Sequence, residues 1–371
     1  YDGVDLREYL AFAPEHFLNW GCGDRAEFNF TPDGTIRDAT FHERVEFRNR
    51  QALARGDRVD MVGEPYGITM TGDPARMIGV QGELNAPKIV QQGEDGPVRA
   101  LGGVRGLFHQ DRGEATVSVG GAEGPVRLES TRAVWHRDAQ SFSFVQNVRL
   151  WQGENLLLAQ EVETQTEADK ILARGGVKTV LVPDEESEGG TDDGAEPAAG
   201  AGDVTAGGEQ IAEDGAEEPN AAADGESELS REPIEITSEW MEYGLATRRI
   251  LYHERVQITQ IGRVLTCDLA EAQMLEGGGM EWLDCQGNAL IKDNVAGRTV
   301  RGEDAFFEVG RGEVTFTGTP VVMTGEKGER MEGATLIYDL GSGGTRIAGP
   351  QGSPRPAVAE EGGAQPRRPR P

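Results

Sequence analysis

Pairs of neighbouring carboxylates are the residues in this sequence whose types and spacing could do chemistry. Asp57 with Asp60, and Glu303 with Asp304, have the composition of the acid pairs that hydrolyse glycosides. The chain has 64 acidic residues, so such pairs also arise by chance. The sequence contains no P-loop, no dinucleotide-binding fingerprint, no Gly-x-Ser-x-Gly elbow and no Cys-x-x-Cys. We therefore predict no enzyme, no catalytic residues and no cofactor.

Histidine and cysteine do not predict a metal site either. His42 and His253 occupy equivalent positions of a repeat described below, face outward by strand parity, and have no zinc-type ligand spacing around them. Cys267 and Cys285 fall where other copies of the repeat have apolar or small residues, so we expect both to be buried. A disulfide between them is the alternative, and a thiol count would decide it.

Negative charge is concentrated in one segment. The net charge is -28, and residues 184–232 contribute 17 acidic side chains and one basic side chain. With few large apolar residues this segment cannot offset the entropy lost on ordering, so we predict a disordered acidic linker. The acidic balance argues against a nucleic-acid partner. No apolar run approaches the roughly 20 residues of a membrane-spanning helix, so we predict no transmembrane segment.

Short alternating segments separated by glycine indicate an all-β protein. In a strand, side chains point to opposite faces with a period of two. Phe142, Phe144, Val148 and Leu150 therefore share one apolar face, while the residues between them are mostly polar. Strands that are apolar on one side only must cover a common core or trough.

Three classes of repeat organise these strands. The first places residues 142–150 in register with 250–258 and 39–47, and two of the copies contain His-Glu-Arg-Val. The second has the form apolar-Thr-apolar-Thr-Gly-x-Pro, at 68–74 and 314–320. The third is a small residue, then a glycine pair or Gly-Asn, then a short apolar end, as at 173–177 and 285–289. Tandem units of this kind stack to bury their apolar faces together.

The repeats and the acidic segment divide the chain. The predicted parts are an N-terminal lead-in at 1–23, a first block at 24–182, the acidic linker at 183–232, a second block at 233–348, and a disordered Pro/Arg-rich tail at 349–371. The chain begins at Tyr1 rather than Met, so we expect a leader or a longer N-terminal part to precede it.

Two segments of the chain resemble one known family. Ser130 to Trp135, Phe142 to Leu150 and the closing Ala-Arg-Gly-Gly-Val at 173–177 form one unit, and Ser238 to Tyr243, Tyr252 to Ile258 and Gly287-Asn288-Ala289 form a second. These units are similar to the OstA-like periplasmic lipopolysaccharide-transport family, which comprises LptA, the LptC periplasmic domain and the N-terminal domain of LptD. The 49-residue acidic insertion and the lack of an LptC-type anchor depart from the family pattern.

The resemblance implies an open antiparallel β-jellyroll built from tandem repeats, with an apolar groove for the acyl chains of lipopolysaccharide or a related glycolipid. It also implies a periplasmic location, with tethering through a missing N-terminal part, and partners of the same family that join end to end by strand pairing. Our groove candidates are Phe142, Phe144, Val148, Leu150, Leu156, Leu158, Ile250, Tyr252, Val256, Ile258, Leu265, Val314 and Phe316. Each of them is equally well explained as plain sandwich core.

Three polar residues share one repeat position on the apolar side. Glu43, Gln146 and Glu254 could contact sugars or phosphates at the rim of a groove, although a solvated position near a strand end is the preferred interpretation. Two other classes of protein remain open. A polysaccharide-acting β-helix enzyme predicts parallel rungs at a regular period, and a β-rich adhesin or scaffold predicts no lipid uptake.

Overall fold

The computed structural model describes residues 20–48, 52–63, 66–79, 82–93, 96–109, 117–136, 139, 141–165, 168–182 and 232–347. Within these residues it is built almost wholly of β-strands, with a short 3-10 turn at Val309–Arg311 and no α-helix. The all-β prediction is confirmed. The predicted tail, nearly all of the predicted linker and most of the lead-in lie outside the described residues, and the block boundaries stay a prediction.

Twenty-one strands follow one another in the described chain. They are β1 (Trp20–Cys22), β2 (Arg25–Phe30), β3 (Ile36–Arg48), β4 (Ala52–Val62), β5 (Gly67–Gly79), β6 (Gly82–Gln92), β7 (Val98–Phe108), β8 (Val126–His136), β9 (Ser141–Gln152), β10 (Asn155–Gln165), β11 (Lys170–Leu181), β12 (Ile234–Gly244), β13 (Arg249–Gln260), β14 (Arg263–Met274), β15 (Met280–Gln286), β16 (Leu290–Asp293), β17 (Arg298–Arg301), β18 (Asp304–Glu308), β19 (Glu313–Gly325), β20 (Arg330–Asp339) and β21 (Thr345–Ile347).

The strands form one antiparallel meander. From β3 to β14 each strand pairs with the next along the chain. Beyond β14, the pairs β15 with β16 and β17 with β18 each act as one interrupted strand, and β19 and β20 complete the sheet. Every pairing between these strands is antiparallel, which excludes the parallel rungs of a β-helix.

The sheet continues from one predicted block into the other. Strand β11 ends just before the acidic segment and β12 begins just after it, and the two pair from Lys170 with Gly244 to Leu181 with Ile234. The entropic cost of closing a loop grows only slowly with its length, so a long insertion between two adjacent strands weakens their pairing little. The two blocks therefore share one sheet.

Each long strand is interrupted near its middle, and the interruptions line up across the sheet. In β9, Gln146 and Asn147 oppose the single residue Gln160 of β10. The same two-against-one register occurs between β3 and β4 and between β13 and β14. Such bulges bend the strand that carries them. We call this line the crease, the arm that contains Phe144 the first arm, and the arm that contains Leu150 the second arm.

Each of the three repeat classes lies at the crease, and each bends its strand with a different set of residues. The first class places two residues with positive φ side by side, as at Gln146 and Asn147, with φ of 67° and 54°. The third class has glycines in the same positive-φ conformation, as at Gly175 and Gly176, with φ of 83° and 73°. The second class has a cis peptide bond before its proline, at Pro74 and Pro320. Sequence similarity among the repeats thus records where the sheet bends.

The bend brings the two arms face to face, with the core between them. Phe41 of the first arm and Phe47 of the second arm pack edge to face, with ring centroids 5.2 Å apart. The Thr179 hydroxyl of the second arm lies 3.8 Å from the Met241 sulfur of the first arm. The result is an antiparallel jellyroll folded like a V, with the crease at its base and the strand ends at its mouth.

Candidate functional site

Apolar side chains line the inside of the folded sheet in continuous rows. One row of paired residues crosses the first arm from β3 to β20. It consists of Phe41, Val59, Met70, Ile89, Ala100, Ala133, Phe144, Val162, Ala173, Met241, Tyr252, Ala270, Cys285, Ala305, Phe316 and Leu336, all of them buried. A matching row crosses the second arm and includes Leu128, Leu150, Leu157, Ile236 and Ile258.

The structure places ten of the groove candidates on this inner face. Phe144, Val148, Leu150, Ile250, Tyr252, Val256, Ile258, Leu265, Val314 and Phe316 have between 0 and 6% of their surface exposed. Phe142 is half-buried and packs against the core, stacked between Trp135 and Phe144 at centroid distances of 6.0 and 6.1 Å. Whether these residues contact lipid stays a prediction.

The placement of Leu156 and Leu158 corrects the sequence analysis. Both are half-buried and alternate with Leu157, which is buried. The hairpin between β9 and β10 pairs Leu150 with Leu157, so inward positions change from even to odd numbers across it. A predicted inward face that kept even numbers through the turn was therefore wrong for these two residues.

Glu43, Gln146 and Glu254 lie at neither the rim nor the strand ends. Each is the first positive-φ residue of the crease, in the middle of its strand, and each is exposed. Two residues are inserted together at each bulge, so the inward apolar residues before and after it keep the same odd or even numbering. By that numbering these three residues would lie on the apolar side. Their role in the structure is to bend the strand.

The inside of the V is filled by its own side chains. The inward residues from β8 to β20 are nearly all inaccessible, including wholly buried Phe144, Tyr252 and Phe316. Phe108, at the mouth of the second arm, packs against Phe142 and Phe144 of the first arm at 5.8 and 6.0 Å. The trough expected from the resemblance is thus closed in this conformation, because side chains from the two arms meet across it.

A segment between β7 and β8 crosses the mouth of the V. We call residues 117–124 the strap. Its backbone is held on the second arm by Gln152, whose Oε1 accepts a 2.9 Å hydrogen bond from Val119 N–H and whose Nε2 donates to Gly124 O at 2.8 Å. Asn155 Nδ2 also donates to Val119 O at 3.2 Å. Both Gln152 and Asn155 are buried.

The other end of the strap reaches the first arm. Ala122 forms an isolated β-bridge with Gly277, in the turn that follows β14. A Cβ placed on Gly121 would lie 3.5 Å from the Tyr243 hydroxyl and 3.7 Å from Met274 Cβ, both on the first arm. Burial raises the pKa of Tyr243, while a hydrogen bond with Ser118 of the strap partly opposes that increase. The strap therefore spans the mouth from rim to rim.

A second closure lies nearer the C-terminal end of the sheet. We call Arg263, Asp293 and Tyr338 the clasp. Arg263 Nε donates to Asp293 Oδ2 at 2.8 Å, and Arg263 Nη2 donates to the carbonyl oxygen of Leu340 at 2.5 Å. The Tyr338 hydroxyl, which belongs to the first arm, donates to the same Asp293 oxygen at 2.6 Å. Polar groups this deeply buried are stable only when paired, so the clasp ties the arms together.

Sequence reasoning missed both closures. Gln152 follows Leu150 at inward parity, so a long polar side chain at the inward end of an apolar strand was the available signal. Arg263 and Asp293 lie at the inward parity of Leu265 and Ile291, which is the same kind of signal, but their pairing with Tyr338 joins strands far apart in the sequence.

Apolar surface remains accessible at the N-terminal end of the sheet. Phe30, Ile36 and Val62 are 60%, 48% and 43% exposed. Met61 and Ile68, which continue the inner face in this region, are only half-buried and pack against the core. The interior is therefore less completely sealed here than between β8 and β20.

The acid pairs named in the sequence make structural contacts. Asp60 accepts hydrogen bonds from Arg58 and from the Thr40 hydroxyl, and the Arg58 contact is the main reason that the pKa of Asp60 is lowered. Asp57 accepts a hydrogen bond from Asp73 N–H, and Asp304 accepts one from Gly287 N–H. An ionised carboxylate bound to arginine is a poor proton donor near neutral pH.

The histidines and cysteines have ordinary surroundings. His253 is half-buried and stacks on Trp240 with ring centroids 3.5 Å apart, and His42 is also half-buried. Cys267 and Cys285 are buried free thiols, as expected. Among the described residues, no cluster of three or more His, Cys, Asp or Glu could hold a metal ion, and no helix is long and apolar enough to span a membrane.

Comparison with known proteins finds likeness only among solved structures. No family model matches the chain, and no curated protein matches it. Among solved structures, the chain is similar to LptH, the LptA homologous periplasmic component of the lipopolysaccharide transport device of Pseudomonas aeruginosa. The match has 11% identity and a TM-score of 0.18, and covers 39% of this chain and 74% of LptH. At that TM-score it bears no weight, so function is argued from the chain's own residues.

Proposed function

We propose that this protein binds lipopolysaccharide or a related glycolipid through its acyl chains, and passes it along the folded sheet as part of a periplasmic bridge to the outer membrane. It does so without catalysis. The observation that carries the proposal is the unbroken apolar interior that runs through both repeat blocks, from Phe41 on β3 to Leu336 on β20.

The dimensions of this interior suit a conduit better than a single binding pocket. Fifteen strand-to-strand steps separate β3 from β20 when each interrupted strand counts once, and adjacent strands lie about 4.8 Å apart, so the interior extends for roughly 70 Å. Each methylene moved from water into such an interior contributes about 0.8 kcal/mol. A ligand held mainly by apolar area, with few directional bonds, can slide.

The ends of the sheet favour entry and handover. Phe30, Ile36 and Val62 present apolar surface at the N-terminal end. At the other end, β20 pairs with β21 only through Leu336, Ile337 and Tyr338. Edge strands offer unpaired N–H and C=O groups to a further strand. End-to-end pairing with other OstA-like proteins is therefore included in the proposal.

Acyl chains can enter only if the arms separate. Phe144 and Tyr252 are wholly buried, so a ligand has to displace contacts between the arms that these residues now make. The chain would exchange one set of apolar contacts for another, and such an exchange requires little net free energy. Uptake should therefore be slow compared with binding to an open trough.

A second function is favoured by the same packed interior. A β-rich scaffold would use the apolar rows only as its core, would bind no lipid and would keep its arms closed. The two functions differ in a single measurable property, the uptake of an amphiphile by the folded chain.

The test is the uptake of a fluorescent fatty acid and of lipopolysaccharide by the whole chain. Val256→Asp places a charge on the inner face, and Gln257→Asp places the same charge on the adjacent outer face. We expect saturable uptake by the wild type and by Gln257→Asp, and at least a tenfold loss in Val256→Asp, with folding checked by circular dichroism. A folded wild type that takes up neither ligand would establish the scaffold instead.

A further inference from the structure

The strap bridges the mouth without belonging to the strands of either arm. It lies just before β8, which begins on the second arm at Val126, yet Ala122 bridges to Gly277 on the first arm. A tight turn would suffice to join two adjacent antiparallel strands. The contacts that residues 117–124 make with both arms are therefore more than the connection itself requires.

The strap is held by polar bonds of its backbone to side chains and by Val117 and Val119, which are both 2% exposed and belong to the core. Three of the four polar atoms in the side-chain amides of Gln152 and Asn155 bond to the backbone of Val119 and Gly124. The fourth, Asn155 Oδ1, accepts a hydrogen bond from Val182 N–H, outside the strap. Gln152 and Asn155 flank the β9–β10 hairpin and are buried. If the strap leaves, water can replace each of these bonds, so opening does not strand a polar group in an apolar surrounding.

Beneath the strap lie residues of the apolar interior. A Cβ on Gly120 would come within 2.5 Å of the Leu181 side chain, and one on Gly121 would contact Met274. Leu181 belongs to the second arm and Met274 to the first, and both are buried. Removing the strap would expose the inner face along β10 to β14, midway along the sheet.

We propose that residues 117–124 act as a releasable strap that controls lateral entry of acyl chains into the interior between β9 and β14. This inference rests on the proposed function and adds to it the place and the moving part of entry. In the closed state the strap joins both rims. In the open state the Gln152 and Asn155 amides are solvated and the mouth accepts the ligand.

A reversible crosslink tests the strap. A Cβ built on Gly121 lies 3.7 Å from Met274 Cβ, within the range that a disulfide needs, so the double variant Gly121→Cys with Met274→Cys is made in a Cys22→Ser background. The oxidised and reduced forms have the same sequence, so they differ only in whether the strap is tied to the first arm. The probe is a fluorescent fatty acid, and the rate of its uptake is measured.

We expect the reduced form to take up the probe at a rate within about threefold of the Cys22→Ser parent, and the oxidised form at least tenfold more slowly, with recovery after reduction. Equal rates for the two forms would overturn the strap as a gate while leaving lipid uptake intact. No uptake by the reduced form or the parent would overturn both the proposed function and the strap.

Hydrogen exchange on the unmodified chain gives an independent measurement if the double variant does not fold. Val119 N–H is bonded to Gln152 and should exchange slowly in the free protein. Added fatty acid should increase exchange at Val119 at least fivefold, while the amides of β19, which lies further along the sheet than the strap, stay unchanged. Unchanged protection of Val119 at saturating fatty acid would contradict the strap proposal.

Discussion

The hydroxyl of Tyr338 donates a 2.6 Å hydrogen bond to Asp293, and this bond joins the first arm to the second at the mouth of the folded sheet. Burial alone would raise the pKa of Asp293, but hydrogen bonds from Tyr338, Ala296 N–H and Arg263 outweigh burial and leave that pKa lowered. Arg298 is the other charged group near Tyr338. The arms are therefore held together most firmly when Asp293 is ionised.

The clasp predicts a definite dependence of stability on pH. An unfolded aspartate has a pKa of about 3.9, and the folded value is lower, so the unfolded state binds the proton more readily. The contribution of Asp293 is present above pH about 4 and is lost as the pH falls through the folded pKa. We expect Tyr338→Phe to lower the free energy of unfolding by about 1.5–3 kcal/mol at pH 7 and by less at pH 3, measured by urea denaturation.

A second variant, Asp293→Asn, distinguishes the effect of the Arg263–Asp293 ion pair from that of the Tyr338 hydrogen bond. Asp293→Asn leaves Arg263 buried without a counter-charge, and breaking a buried pair in this way destabilises by about 3–5 kcal/mol. An Asp293→Asn protein as stable as Tyr338→Phe at pH 7 would show that the ion pair is not what holds the clasp.

At the crease, two substitutions at positions with the same left-handed backbone conformation should change stability in opposite directions. Gly176 has a φ of 73°, and a Cβ added there meets nothing within 4 Å, so Gly176→Ala should cost only the strain of the left-handed conformation, about 1–2 kcal/mol. Glu254 has a φ of 64°, so Glu254→Gly removes that strain and should leave stability unchanged or raise it by up to about 1 kcal/mol. Thermal denaturation of both variants checks the signs, and equal destabilisation would contradict this view of the crease.

Neighbouring leucines on β10 test which face is inward. Leu157 is 2% exposed, and Leu157→Ala should lower the free energy of unfolding by about 2–5 kcal/mol. Leu158→Ala, on the other face, is the matched control and should lower it by less than about 1 kcal/mol. The reverse order in chemical denaturation would restore the even-numbered inner face.

The thiols predict a difference between native and unfolded chains. Burial is the main reason that the pKa of Cys285 is raised, and contact with Cys267 raises it further. Because the thiolate is the reactive form, neither buried cysteine should react with an aromatic disulfide reagent in the native state. We expect at most one reactive thiol before denaturation and three after it. Only one thiol after denaturation would indicate a Cys267–Cys285 disulfide.

Much of the fold was predictable from period-two alternation. Seven of the ten inward groove candidates, Phe144 and Val256 among them, lie on β9 and β13, where the two-residue insertion preserves parity. On β10 the parity changes at the hairpin and again at the single residue Gln160, so Leu156 and Leu158 were misplaced. A count along the sequence cannot detect such changes unless the turn length is known.

The partners that close the mouth could not be identified from the sequence, although inward polar residues such as Gln152 mark one side of it. Gln152 meets Val119, 33 positions away, and Tyr338 meets Asp293, 45 positions away. No local periodicity links residues at such separations. The resemblance to a family of open troughs likewise gave no reason to expect the arms to pack against each other.

Photo-crosslinking from the inner face tests the central claim most directly. A benzophenone amino acid in place of Phe142 would lie on the inner side of β9, and one in place of Ser143, which is also half-buried, would lie on the outer side. We predict that lipopolysaccharide becomes crosslinked to the probe at position 142 at least tenfold more than to the probe at position 143 in the whole chain. Equal crosslinking at both positions, or none at position 142, would contradict the central claim.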